Sequence, residues 1–227
     1  DLVCAEGGVV PPDSYADRLA EIERVLKGGK RVSVIKTEVV TSAADVKKMY
    51  KTYVESDKAE GLVVRSADAR VFKIKPTYTL DCVVVGFTQR SDDAAQARSL
   101  LLGLTRPDGS VQLVGACGNL ASDKDRKSIK KALEPLVIES RFRRGSSSGA
   151  LYRLTKPEFV VEIECTDLQA LNADGDSINN WALEMDSKEG WMPLCQVPTV
   201  SLLHPRLVRV RSDKSANAID TRISQVS

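Results

Sequence analysis

The sequence contains one histidine, five cysteines without a CxxC pair, and no long apolar run. Each shortage excludes something. With His204 as the only imidazole, a zinc centre built on histidines is out of reach. A Ser-His-Asp triad would have to be built on that same residue. Cys4, Cys82, Cys117, Cys165 and Cys195 are odd in number and widely scattered, which argues for reduced thiols and against a disulfide framework. No stretch approaches the roughly 18 apolar residues of a membrane span, and no secretory leader pattern opens the sequence. An intracellular setting is therefore expected, bacterial cytoplasm or eukaryotic nucleus, with no membrane partner. Aromatics make up only 5% of the residues, too few for a single-strand binder that works by base stacking. Chemistry, if any, must run on lysine, arginine and carboxylates.

What is present begins with size. The 227 residues suffice for one large domain or two modest ones, and an apolar fraction of 42% supports real cores. The net charge of +2 hides a segregation. Between Ser140 and Pro157 there is no acid, against Arg141, Arg143, Arg144, Arg153 and Lys156. Between Glu158 and Glu189 there are nine acids against Lys188 alone, and the tail from His204 turns basic again. Such clustering suggests a local face for a polyanion, although solvated loops would read the same way.

Along the chain, Asp13 or Ser14 can cap a helix whose apolar stripe is Leu19, Ile22 and Leu26, stopped by Gly28-Gly29. "RVSVI" reads as a short strand. Thr41 or Ser42 can cap a second helix that buries Val46, Met49, Tyr50, Tyr53 and Val54. Two strands follow near 61–65 and 71–75, joined by "SADA". In the second, "VFKIK" alternates apolar and basic residues, so Lys73 and Lys75 lie on one strand face with Phe72 and Ile74 packed behind. Beyond Pro76 the runs "LDCVVVGF", "SLLLGLTR", "SVQLVGAC" and "FVVEIECT" are β-rich, with a hairpin turn at Pro107-Asp108-Gly109 and one helix over about Ser122–Val137. "RGSSSG" reads as a flexible loop, and the segment from Leu171 to Met192 as variable loops. The expected fold class is mixed α+β, with a boundary near residue 80 and a small Greek-key barrel after it.

The stretches "EGLVVR", "FKIKP", "LDCVVVGF", "FVVEIECTDL" and "HPRLVRVRSDKSANAID" occur in the order of motifs IV, V, the domain hinge, a barrel strand and motif VI of ATP-dependent DNA ligases. The chain resembles that family across nearly its whole length. The resemblance implies a partial nucleotidyltransferase (adenylation) domain over residues 1–80 and an OB-fold over 81–227. It also implies ATP as cofactor, with AMP as a covalent intermediate, and Mg²⁺. Lys73 and Lys75 would meet the phosphates, as compact point charges suited to following a phosphoryl group. Glu60 would help hold the metal, and Arg65 would lie near phosphate. Arg211 and Lys214 would orient the pyrophosphate with Asp213 holding them, so that lysines and guanidinium converge on one triphosphate. Asp81 would mark the hinge, at an element end before a strand. Arg141, Arg143, Arg144 and Arg153 would contact the phosphates of nicked duplex DNA.

The family's nucleophilic lysine sits in a KxDG motif, and this sequence has none, "RPDG" and "NADG" lacking the lysine. The chain alone is therefore expected not to charge itself with AMP, its partner being the N-terminal remainder of the same polypeptide, and a monomer is expected. Two other readings stay open here: an RNA ligase or mRNA-capping guanylyltransferase relative, and a non-catalytic OB-fold module that binds nucleic acid.

Overall fold

Ser14 starts the first helix by accepting a hydrogen bond from the Asp17 amide at 3.0 Å, which satisfies one of the donors a helix start leaves open. The computed structural model describes residues 4–5, 8–9, 14–27, 31–57, 59–66 and 70–226. The chain forms two units, Asp1–Ser56 and Asp57–Ser227. The first holds a short ladder of β1 (Cys4–Ala5) and β2 (Gly8–Val9), then α1 (Tyr15–Leu26) and α2 (Ala43–Tyr50), which continues as a π-helical stretch over Lys51–Ser56. Ser42 caps α2 through the Asp45 amide at 3.2 Å, and the expected stripe is on the inner side, with Val54 buried. Gly28-Gly29, the expected helix stop, lies outside the described residues. "RVSVI" is not a strand: Val32 and Ile35 are exposed, and no described neighbour offers a ladder to its backbone groups.

The second unit opens with an antiparallel hairpin of β3 (Leu62–Arg65) and β4 (Val71–Ile74), in which Val63 faces Lys73 and Arg65 faces Val71. Then come β5 (Tyr78–Gln89), β6 (Ala97–Thr105) and β7 (Val111–Cys117), a meander whose second turn is closed by Gly109 at φ +86°. After α3 (Asp123–Leu133), which carries a Ser122–Asp125 capping box, and a 3₁₀ turn (Glu134–Leu136), β8 (Arg153–Leu154) touches β5. β9 (Val160–Cys165) pairs with β5 along the same edge as β8, opposite β6. β10 (Asp167–Gln169), β11 (Asn179–Asp186), β12 (Gly190–Pro198), β13 (Ser201–Leu203) and β14 (Arg206–Val210) complete the order, before a last 3₁₀ turn (Ile223–Val226).

The ladder runs β7-β6-β5-β9-β14, and a bridge between Asn119 and Arg206 brings β14 back to the end of β7. Five strands closed in that order, with a helix between the third and fourth, are the OB-fold. This explains why β5 reads as a continuous apolar run. Its Cys82, Val84 and Phe87 enter the barrel core beneath Ile129 and Leu133 of α3, while Val83 and Val85 enter a second core with Phe142, Leu183 and Trp191. A strand covered on both faces has no reason to alternate.

Of the segment expected as variable loops, residues 171–178 form a turn, and from Asn179 onward it is the β11–β12 hairpin, which extends the sheet beyond β7. Its anchor is Trp191, buried and donating its indole N–H to the Thr155 carbonyl at 2.8 Å. Pro193 sits at the bulge of β12, an edge strand, where a missing N–H costs little. The 144–149 loop is a tight turn, closed by Gly149 N–H to Ser146 O at 3.0 Å and a bridge between Gly145 and Leu151. The expected boundary at residue 80 falls inside β5, and the 62–74 hairpin clusters with the barrel unit. Cys82, Cys117 and Cys165 are buried free thiols, all pushed upward in pKa by desolvation, Cys117 to about 11. No helix among the described residues is long and apolar enough to cross a membrane.

Candidate functional site

The expected residues gather in two clusters. The first is on the hairpin. Gly61 lets the chain cross close to β4, since a Cβ there would lie 2.4 Å from the Ile74 carbonyl oxygen. That approach sets Glu60 beside Lys75, and the two form an ion pair. The Lys75 hydrogen bond, and more weakly the charge of Lys73, hold the Glu60 carboxyl below its ordinary pKa. Lys75 itself lies one residue past β4. Phe72 is not packed behind the lysines as expected. It is 47% exposed and stacks under the Arg70 guanidinium at 5.7 Å. Arg65 is exposed on the same face as Lys73, Val63 and Val71.

The second cluster is in the barrel. Arg211 follows β14 and donates to Asp81 Oδ1 at 2.7 Å and Glu162 Oε2 at 3.2 Å through one nitrogen. Its other nitrogens grip Asp213 bidentately at 2.9 and 2.7 Å. That hydrogen-bonded pairing raises the Arg211 pKa and pulls the Asp213 carboxyl far below its usual range. Lys214 donates to Asp81 Oδ2 at 2.6 Å, so Asp213 holds the arginine alone while Asp81 bridges the arginine and the lysine. Asp81, Glu162 and Arg211 are each about one-seventh exposed, which gives these charges less water to compete with.

Asp81 is not before a strand. It is the fourth residue of β5, paired with Glu162, and the Gln225 amide clamps its backbone N–H and C=O at 2.9 and 3.0 Å. Among the described residues, the two clusters share no carboxylate: Lys75 pairs with Glu60, while Arg211 and Lys214 pair with Asp81, Glu162 and Asp213. The sequence reading missed Glu162 and Gln225. For Glu162 a signal existed: the outward acids of "VEIE" face the outward bases of "RLVR", and Arg206–Glu164 and Arg209–Glu162 pair at 2.8 Å. Nothing local marks Gln225, 144 residues from its partner.

Of the arginines expected on DNA, Arg153 is committed to Glu134 at 2.7 and 3.1 Å and lies over the Phe87 ring, and Arg141 pairs with Glu189 at 2.5 Å. Arg143 is exposed, and Arg144 lines a cleft beside β6 and β7. His204 meets Thr166 Oγ1 at 3.2 Å. No group of three possible metal ligands occurs among the described residues.

Comparison with known proteins gives concordant findings. A family model described as the ATP dependent DNA ligase C terminal region matches residues 93–214, more than half of the chain. DNA ligase C1 of Mycolicibacterium smegmatis is 34% identical over 110 residues, 45% of this chain and 31% of that protein. A probable DNA ligase of Aquifex aeolicus is 26% identical over 187 residues, 74% of this chain and 32% of that protein. The chain thus spans about a third of the length of these relatives. A solved Lig E DNA ligase structure aligns with a TM-score of 0.50 at 14% identity, covering 89% of this chain and 60% of that one.

Proposed function

The chain belongs to the family of the ATP-dependent DNA ligase C-terminal region, and from that premise we propose that it serves a ligase that seals nicks in duplex DNA through enzyme-adenylate and DNA-adenylate intermediates. The observation that carries this reading is the convergence of Arg211 and Lys214 on the two oxygens of one carboxylate, at 2.7 and 2.6 Å. Two cations that bridge one anionic group are spaced to bridge a phosphate in its place. In this reading the barrel presents that pair to ATP, and Asp81 holds it until the phosphate competes.

Lys73 and Lys75 take the phosphates from the hairpin side, with Lys75 exchanging Glu60 for phosphate. Glu60, 84% exposed at its side chain, offers the oxygen donor that Mg²⁺ accepts beside water and phosphate oxygens, and the ion would neutralise charge on the nucleotide. Phosphoryl transfer is mostly positioning and charge neutralisation, so these residues supply catalysis without forming the covalent bond. The nucleophile would come from a KxDG lysine, a motif absent from this sequence. The chain alone, given labelled ATP and Mg²⁺, is expected to form no covalent adenylate.

In a ligase that contains this chain, Lys73→Ala and Lys75→Ala are each expected to lower nick joining by at least about 10²-fold, with duplex affinity reduced only modestly. Variants that seal nicks normally would end the assignment of these lysines. Comparing nicked DNA with nicked RNA and GTP as substrates tests the reaction class in the same assay.

A further inference from the structure

The ladder between β5 and β6 covers only the later part of β5. It begins at the Val83–Gly103 pair, although β6 continues to Thr105. Thr105 turns instead to Thr221, donating its N–H to that carbonyl at 2.6 Å and meeting its hydroxyl at 2.7 Å. Asp81 is thereby left with an open backbone edge opposite β9, and the Gln225 carboxamide fills it. Gln225 Oε1 accepts the Asp81 N–H at 2.9 Å, and Nε2 donates to the Asp81 carbonyl at 3.0 Å. We infer that Gln225 is a positioning residue for the Arg211–Lys214 pair: it fixes the backbone of Asp81, and through it the carboxylate on which both cations sit. The inference rests on the ligase reading and deepens it with a residue that lies outside the motifs.

The chemistry of the side chain suits the task. A carboxamide carries an acceptor and two donors in one plane, so it satisfies both backbone groups of Asp81. Its remaining proton goes to the Arg222 carbonyl at 3.1 Å, which settles the orientation of the group. An ionised glutamate would have no donor for either carbonyl. The turn that carries Gln225 is itself anchored, since Ile223 and Val226 pack on the barrel core and Thr221 is fully buried.

The clamp also decides what the Asp81 carboxylate can reach. Its N–H and C=O point to Gln225 and so away from β9, which makes Asp81 and Glu162 the closer, non-hydrogen-bonded kind of cross-strand pair. Partners in such a pair share a face of the sheet. Both carboxylates therefore reach the same Arg211 nitrogen, at 2.7 and 3.2 Å, while Asp81 also takes Lys214 at 2.6 Å. Groups that act on a phosphate must be held to within about 0.5 Å of their working positions. A drift of the Asp81 backbone would move both cations at once.

The test is made in a ligase that contains this chain, with Gln225→Met, which keeps the length of the side chain and removes its hydrogen bonds. The Arg211–Lys214 pair is read as serving ATP, so kcat/KM for adenylate formation should fall about 10-fold. Sealing of a nick supplied already adenylated should keep its rate. Gln225→Glu restores the acceptor and not the donor, and should not rescue the first step. Ser224→Ala, at an exposed neighbour, is the control and should leave both steps as they are. An unchanged first step in Gln225→Met would overturn the inference, and so would equal losses in both steps, which mark a purely structural role. Arg211→Ala separates the two claims. If it slows adenylate formation and Gln225→Met does not, the positioning role falls and the ligase reading stands. If Arg211→Ala leaves that step alone, the reading of the pair falls and takes this inference with it. In the 227-residue chain by itself, hydrogen exchange at the Asp81 amide should quicken at least about 10-fold in Gln225→Met. Unchanged protection would show that the carboxamide does not hold this backbone, and would also overturn the inference.

Discussion

Trp191 in the second core is 1% exposed, whereas Phe72 on the β3–β4 hairpin is 47% exposed. β5 is buried on both faces by two cores, while the hairpin leaves Val63, Val71 and Phe72 open. Charges follow the same division. Arg211 in the barrel is tied to three carboxylates, Asp81, Glu162 and Asp213, whereas Lys75 has the single exposed partner Glu60. The barrel is finished by its own contacts. Lys73 is held by one two-stranded ladder, and Lys75, just past it, by its pair with Glu60.

The sharpest way to break this comparison is a pair of aromatic truncations. Trp191→Ala removes a filled core volume and a satisfied indole, and should cost about 3–5 kcal/mol. For a chain of this size that lowers Tm by roughly 6–20 °C. Phe72→Ala should stay within about 0.5 kcal/mol in the same melt. Equal losses would show the hairpin to be as firmly built in as the barrel.

Asp81→Asn comes next. It leaves Arg211 and Lys214 without their shared anion, and the loss of hydrogen bonds to charged groups should cost about 1.5–3 kcal/mol, read as a lower urea midpoint at constant m-value. An unchanged midpoint would show that the network positions the cations without stabilising the barrel.

The smallest effect concerns Arg153. Its hydrogen bonds, followed by those of Lys130, hold the Glu134 carboxyl down to about 2. A folded pKa below the unfolded value of roughly 4.3 gives stability that is present above that unfolded value. It is lost as pH falls from about 4 towards 2. The pair is two-fifths exposed, so the slope should be shallow. Tm measured from pH 6 to pH 2 should fall slightly less for Glu134→Gln than for the wild type. Identical profiles would show that the pair contributes nothing to stability.

Much of this was legible in the residues. Ser14, Ser42 and Ser122 announce their helices because a cap is a local bargain between a hydroxyl and an amide three residues on. The meander of β5, β6 and β7 follows from apolar runs and a Pro-Asp-Gly turn. "RVSVI" misled, since a β-prone sequence without an edge to pair with stays irregular. The 171–192 segment misled in the other direction: its polar residues mark it as loop, yet Trp181, Leu183 and Trp191 give its hairpin an apolar side that packs on the second core.

The sequence by itself determined the capped helices, the meander of β5, β6 and β7, the order of the motifs and the family, because periodicity, caps and short motifs are properties of neighbouring residues. Only the tertiary structure decided which charges are spent. Arg153 and Arg144 look alike in the chain, nine positions apart in an acid-free stretch, but folding sets one against Glu134 and leaves the other facing a basic cleft. Asp81, expected at the hinge, likewise meets Arg211 and Lys214, 130 and 133 residues away, only because closure of the barrel brings them onto its two oxygens. Coulomb energy depends on distance and burial, and neither is written in sequence separation.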